Sequence, residues 1–115
     1  MILKINSTNR EQIRVELVEP KNGRKDKLVQ KQKLGSQVLL PMIVKILKKN
    51  KADFKDLTDI EVNPGPGSFT GTRVGVAVAN ALGFALDLPV NGSPRGEAGK
   101  KGNIVIPIYE KSKFD

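Results

Sequence analysis

The sequence predicts an α/β domain built on a mixed sheet, and three features carry that prediction. Runs near the start alternate apolar and polar residues at the two-residue period of a half-buried strand. Two later runs are long and apolar enough for helices. A short strand and a Gly/Pro-rich turn separate those helical runs, so strand and helix alternate along the second half of the chain.

Met1 to Ser7 (MILKINS) opens the pattern, with Ile5 and either Ile2 or Leu3 facing inward. Ile13, Val15 and Leu17 alternate with Arg14, Glu16 and Val18 and form a second strand. Pro20-Lys21-Asn22-Gly23 then supplies a turn, because Asn-Gly accepts positive φ at little cost. A weaker third strand is expected through Lys27 to Lys33, where Leu28 and Val29 are the apolar residues. Three strands joined by short turns make an antiparallel meander. The charge on the third suits an edge guarded against further pairing.

Ser36 is the expected N-cap of a helix from about Gln37 to Lys49, although Pro41 draws the start toward Leu39. Leu39, Leu40, Met42, Ile43, Val44, Ile46 and Leu47 cover more than one face of it. A surface helix needs a single apolar stripe, so a second buried face is expected, against the sheet or another protein. Asp59 to Asn63 (DIEVN) reads as a short strand and Pro64 to Gly71 as a turn. A second helix is expected from Thr70 or Thr72 to Leu86. Small residues recur every four positions along it, at Gly75, Ala79 and Gly83 and again at Ala77, Ala81 and Ala85, which permits close backbone approach on two sides.

Pro89 to Asn91 reads as one more strand. Residues 93–102 are basic, Gly-rich and without apolar periodicity, as expected of a linker. Ile104-Val105-Ile106 and Pro107-Ile108-Tyr109 suggest a last strand before a polar tail, within residues 103–115. Residues 1–92 form the main lobe in this division.

The 115 residues suit one domain. Aromatic residues are 4% of the chain, so the core must be built from Ile, Val, Leu and Ala. Cysteine and histidine are both absent, which removes disulfides, thiolate and imidazole metal ligands, and any Ser-His-Asp or Cys-His nucleophile. Carboxylates are scattered rather than clustered, so no metal and no cofactor is expected. The chain opens directly into a strand, and the apolar run Val74 to Leu88 contains Asn80 and Asp87 and is too short to span a bilayer. The expectation is a soluble, cytoplasmic protein without membrane contact. A formal charge of +8 raises affinity for polyanions, RNA among them, while also serving ordinary solubility.

Gly65-Pro66-Gly67-Ser68-Phe69-Thr70-Gly71 lies between a strand and a helix, where phosphate-binding loops often lie. Its spacing fits neither a dinucleotide fingerprint nor a Walker loop, and Pro66 removes a donor. A structural turn is the stronger reading of the bare motif. Arg73 sits in the first turn of the helix, where the dipole disfavours a cation, so it is either held by a partner group or exposed to water.

Taken whole, Gly65 to Gly75 (GPGSFTGTRVG) resembles the GPGSFTGxRxG loop of the TsaB (YeaZ) family. Ser36 to Ile43 (SQVLLPMI) resembles that family's helix-opening motif, with Gly35 where the family has histidine. Ala77 to Pro89 is similar to its small-residue helix, and Met1 to Ser7 to its first strand. Asn6-Ser7-Thr8 stands in place of the family's DTS-type turn. The resemblance covers about residues 1–92, and Pro107-Ile108-Tyr109 is similar to a strand near the end of full-length members. An abridged form lacking the second lobe is therefore expected.

The resemblance implies an actin-like, ribonuclease-H-like (ASKHA) lobe with two main helices. It implies a non-catalytic subunit that pairs with the TsaD-like catalytic subunit making N6-threonylcarbamoyladenosine in tRNA. A TsaE-like ATPase would be a further partner, a homodimer is expected when the chain is alone, and contact with tRNA is indirect. The partner interface is expected at Leu39, Ile43, Ile46 and Leu47 of the first helix with Val76, Ala79, Asn80 and Gly83 of the second. Two alternatives stand beside this reading. One is a basic RNA-binding module using Lys21, Arg24, Lys25 and Lys27; the other is a remnant ASKHA nucleotide-binding protein.

Overall fold

A computed structural model describes residues 1–31, 38–67 and 69–92; for Phe69 and Thr70 it gives the backbone alone. Gln32 and Lys33 at the end of the expected third strand, the cap at Ser36, the start at Gln37, Ser68, the linker and the last strand lie outside the described residues. Strands β1 (Ile2–Asn6), β2 (Gln12–Glu19) and β3 (Arg24–Lys31) are followed by helix α1 (Leu39–Lys49), a single 3-10 turn (Phe54–Asp56), strand β4 (Asp59–Val62) and helix α2 (Phe69–Leu86). The sheet order is β3-β2-β1-β4. β1 runs antiparallel to β2 and parallel to β4, which makes the sheet mixed, and the expected meander is present.

Register explains the core. Leu3 lies between Leu17 and Ile60, and Ile5 between Val15 and Val62, so these side chains share one face. Both helices cover that face: α1 packs on β2 and β3, α2 on β1 and β4. Leu39, Met42, Ile43, Ile46 and Leu47 complete the core from α1, and Val76 and Ala79 from α2. The buried core is aliphatic throughout, as the composition requires, and Phe54 only packs against its margin. Lys4, Arg14, Glu16 and Glu61 alternate onto the opposite face.

Two boundaries differ from the sequence reading, and a third, the start of α1, falls where Pro41 draws it. β3 starts at Arg24 rather than Lys27, because Gly23 at φ 72° returns its N–H to the Glu19 carbonyl (2.9 Å) and Glu19 pairs with Arg24 at once. α1 starts at Leu39 with Val38 as an N-cap that makes no side-chain bond. Pro41 is then its third residue, where no intrahelical N–H is needed. Pro89 to Asn91 makes one parallel bridge, Ile60 with Val90, rather than a strand. There Ile60 N–H donates to the Pro89 carbonyl (3.0 Å) and Asn91 N–H to the Ile60 carbonyl (2.8 Å). The Asn91 carboxamide extends the pairing, accepting from Val62 N–H (2.8 Å) and donating to its carbonyl (2.9 Å). A side chain here stands in for a further strand residue.

Candidate functional site

The Gly65–Gly75 loop packs directly on the turn after β1. Ser7 is fully buried, and its hydroxyl donates to the Gly71 carbonyl at 2.6 Å. One helical turn later, a Cβ on Gly75 would collide with Ser7 Oγ, with Ile5 Cγ2 at 3.6 Å. A Cβ on Gly67 would run into the Thr8 side chain and lie 2.7 Å from its carbonyl oxygen. Asn6 fixes this turn by accepting from Thr8 N–H (3.1 Å) and Thr8 Oγ1 (2.8 Å). Gly67 and Gly75 are therefore explained by close approach of the chain to itself, which is the structural-turn reading. The resemblance singles out Asn6-Ser7-Thr8 as a turn, but no local residue pattern announces its contact with the loop, because the loop partner of Ser7 lies 64 residues away.

Elsewhere in the loop, Gly65 takes φ 109° and donates its N–H to Asn63 Oδ1 (3.0 Å), and the Gly65–Pro66 peptide is cis. Gly71 and Thr72 are buried, and Thr72 Oγ1 has no hydrogen-bond partner among the described residues. Arg73 is exposed on the first turn of α2. A nucleotide-hydrolysing remnant would need a carboxylate near this loop. Asp59 and Glu61, the nearest in sequence, lie on the sheet face away from the helices, where Glu61 sits 3.9 Å from Lys4. Among the described residues no group of three or more His, Cys, Asp or Glu side chains could hold a metal ion.

The helix faces require a correction. Leu39, Ile43 and Ile46 are 0% exposed, Leu47 is 2% exposed, and all four pack into the chain's own core. Val76, Ala79 and Gly83 are likewise buried, Gly83 against Val90, while Asn80 is half-buried. The buried side chains are not available to a partner in the folded chain. The outward faces lie about half a turn away. They carry Leu40, Pro41, Lys45 and Lys48, with half-buried Val44, on α1, and Arg73, Ala77, Ala81, Phe84 and Ala85 on α2. Leu40 is 44% and Phe84 67% exposed. α2 is apolar nearly all round, so periodicity alone could not choose its face, whereas Lys45, Lys48 and Lys49 mark the outward face of α1.

The four basic residues of the β2–β3 hairpin are all exposed, yet they do not share one surface. Lys21 lies in the turn. Arg24 alternates onto the helix-bearing side with Asp26, and Lys25 and Lys27 onto the opposite side. Asp26 accepts from Asn50 Nδ2 (3.0 Å) and Lys49 Nζ (3.3 Å), which ties the end of α1 to the hairpin. The Asn50 bond, reinforced by Lys49, holds the Asp26 carboxyl below its usual value of 3.8 against partial burial.

A mixed sheet carrying two helices on one face, with a tight Gly-rich loop seated on the β1 turn, is the architecture of an ASKHA-type, actin-like lobe. A family model described as "TsaD: tRNA N6-adenosine threonylcarbamoyltransferase" matches residues 29–94, more than half of the chain. The tRNA threonylcarbamoyladenosine biosynthesis protein TsaB of Buchnera aphidicola subsp. Baizongia pistaciae is 47% identical over 51 residues, which are 44% of this chain and 23% of that protein. A tRNA N6-adenosine threonylcarbamoyltransferase of Nitrosospira multiformis is 44% identical over 70 residues, 61% of this chain and 19% of that protein. Among solved structures, YeaZ from Pseudomonas aeruginosa superposes with a TM-score of 0.71 at 31% identity, covering 77% of this chain and 41% of that one. The chain belongs to the family that this model describes and, within it, to the TsaB (YeaZ) group. Its aligned part spans about a quarter of the first TsaB relative and less than half of the YeaZ structure.

Proposed function

We propose that this chain is a non-catalytic assembly subunit in the making of tRNA N6-threonylcarbamoyladenosine, and that it pairs with a TsaD-like catalytic subunit through the outward faces of its two helices. The names of its relatives support the pathway. One observation carries the pairing: the outward face of α2 presents Ala77, Ala81, Phe84 and Ala85 to solvent, with Arg73 as its charged residue. A helix on a two-layer domain normally turns polar residues outward, and an apolar face left exposed marks an interaction surface. Leu40 and Val44 of α1 extend that surface. Small residues at Ala77, Ala81 and Ala85 would let a partner helix approach closely, and Phe84 would serve as its anchor. The Ser7–Gly71 and Gly67–Thr8 contacts support the non-catalytic part, since they turn the loop inward onto the chain's own backbone. The main lobe within residues 1–92 is the pairing unit in this reading.

Size exclusion with light scattering, on the chain alone and mixed with a TsaD-type protein from the same source, tests this. A 1:1 complex is expected, with a homodimer when the partner is omitted. Ala81→Glu and Phe84→Glu should abolish pairing while leaving the circular dichroism spectrum and melting curve of the monomer unchanged. A complex that survives both substitutions would refute this surface. Ala79 is unsuitable as a probe, because at 0% exposure a carboxylate there would be forced into the core.

A further inference from the structure

On the open face of the sheet, Lys4 lies 3.9 Å from Glu61 and Arg14 lies 3.7 Å from Glu16, and Lys27 sits opposite Glu16 in register. At the other pole, where the β2–β3 hairpin meets the end of α1, the carboxylates are already committed. Asp26 is bonded by Asn50 and Lys49, Glu19 accepts from the Lys21 backbone (3.2 Å), and Asp56 accepts from the Asp53 backbone (2.8 Å). Lys21, Arg24 and Lys48 are exposed there and make no ion pair among the described residues.

The fold gathers them. Lys45, Lys48 and Lys49 follow the i, i+3, i+4 spacing that makes helix residues neighbours, about 5–6 Å apart. The Lys49–Asp26 contact sets that end of α1 over β3. Arg24, two residues before Asp26, projects on the same side of β3, about 7 Å along it. Between them lies a cleft of about 420 Å³ lined by Arg24, Lys25, Asn22, Lys49 and Asn50, with Glu19 and Asp26 at its sides. It carries no aromatic side chain.

From this we infer that the hairpin–α1 pole, through Lys21, Arg24, Lys48 and Lys49, is a docking surface for the phosphodiester backbone of an RNA stem. Lys and Arg that neutralise phosphates release condensed counterions, and such binding needs no base contact. Single strands are held largely by stacking on aromatic rings, which the surface lacks, so a helical stem fits it better. Lys48 lies on the outward face of α1, but the apolar residues of the pairing surface (Leu40, Val44, Ala77, Ala81, Phe84 and Ala85) are not required, so this inference stands or falls apart from the assembly reading.

The test uses the full chain and a fluorescein-labelled RNA stem-loop, with anisotropy read across a salt series. Lys21→Gln, Arg24→Gln and Lys48→Gln are combined in one variant. Lys4→Gln, Lys27→Gln and Lys31→Gln, from the opposite sheet face, are combined in another. Each loses three of the eight net positive charges, reaching +5. The pole variant should lose about 10-fold or more in affinity at low salt, and its log–log salt slope should fall by about three, one for each phosphate contact removed. The opposite-face variant should keep the wild-type slope. Equal losses in both would mean diffuse charge and overturn the inference. So would no stem-loop binding at low salt, preference for single-stranded oligo(U), or binding to phosphatidylserine vesicles in place of RNA. If the triple variant fails to fold, Arg24→Gln and Lys48→Gln are measured singly, each expected to lower the slope by about one.

Discussion

The two helices lie on the same face of one sheet and solve the packing problem in opposite ways. α1 sends large side chains down onto β2 and β3 (Leu39, Met42, Ile43, Ile46, Leu47) and returns Lys45, Lys48 and Lys49 to solvent. α2 sends Gly75, Val76, Ala79 and Gly83 down onto β1 and β4, and leaves Ala77, Ala81, Phe84 and Ala85 outside. The first helix is held by the volume of its buried side chains. The second is held by close approach, where glycines meet Ser7 and Val90 directly. An element that buries small residues and exposes apolar ones gains less from its own sheet than it can gain from a second surface. The difference is the ground for the proposed pairing on α2 and the proposed charge display at the end of α1.

The contrast can be broken most forcefully at Ile43. It is fully buried in α1, so Ile43→Ala removes methylenes that nothing else can replace. A loss of about 2–5 kcal/mol is expected, read as a lower urea midpoint at unchanged m-value. A loss under about 1 kcal/mol, below the range usual for such a truncation, would mean that volume is not what holds α1.

On α2 the sensitivity should reverse, with gained volume doing the harm. Replacing a helical glycine by alanine ordinarily favours the helix by about 1 kcal/mol. At Gly75 the new Cβ meets a Ser7 hydroxyl already locked onto the Gly71 carbonyl. Overpacking costs about 1–3 kcal/mol, so Gly75→Ala should destabilise the wild-type chain. In a Ser7→Ala background the obstructing oxygen is gone, and the same change should become neutral or stabilising. A double-mutant cycle in urea measures the coupling. Additive effects would separate Gly75 from Ser7 and weaken the account of the loop as an internal turn.

That loop marks the limit of what the residues alone disclose. The β1 and β2 cores are legible, because Leu3, Ile5, Ile13, Val15 and Leu17 follow a two-residue period that one buried face imposes. The mixed sheet follows from helix and strand alternation. The start of β3 is not legible, since Arg24 to Lys27 carries no apolar signal and pairs only because the turn delivers it. The inward face of α1 is foreseeable from the spacing of Lys45, Lys48 and Lys49, and that of α2 is not. Val76 and Val78 look alike in a sequence, and the sheet decides which one it covers more fully. The loop reads as a unit through its resemblance, yet the Ser7–Gly71 bond joins positions 64 apart and no local pattern announces it. Asn91, standing in for a strand beside Val62, is hidden for the same reason.

Smaller effects sharpen the view of α1 as a self-contained helix. Its end is a Schellman motif: Ala52 N–H donates to the Leu47 carbonyl (2.9 Å) and Lys51 N–H to that of Lys48 (3.0 Å). Lys51 occupies the left-handed position at φ 54°, which glycine adopts without strain. Lys51→Gly should therefore stabilise the chain by about 0.5–1 kcal/mol. A fall in melting temperature would instead assign the Lys51 side chain a contribution larger than its backbone cost.

The smallest effect expected links that helix end to the hairpin through Asp26. Asn50 Nδ2 joins the two, donating to Asp26 Oδ2 (3.0 Å) and to the Ile46 carbonyl (2.8 Å), so one amide caps α1 and grips β3. Because the Asp26 carboxyl is held below 3.8 in the folded chain, the unfolded chain takes up its proton first as pH falls. Its contribution is complete above the unfolded value, near about 4, and is lost as pH drops through the folded one. Urea midpoints measured downward from about pH 5 should therefore decline. In Asp26→Asn, which keeps an acceptor oxygen but cannot ionise, that decline should be shallower. Identical acid slopes in the two proteins would mean that α1 and the hairpin are joined by the Asn50 amide alone, with no part for the charge.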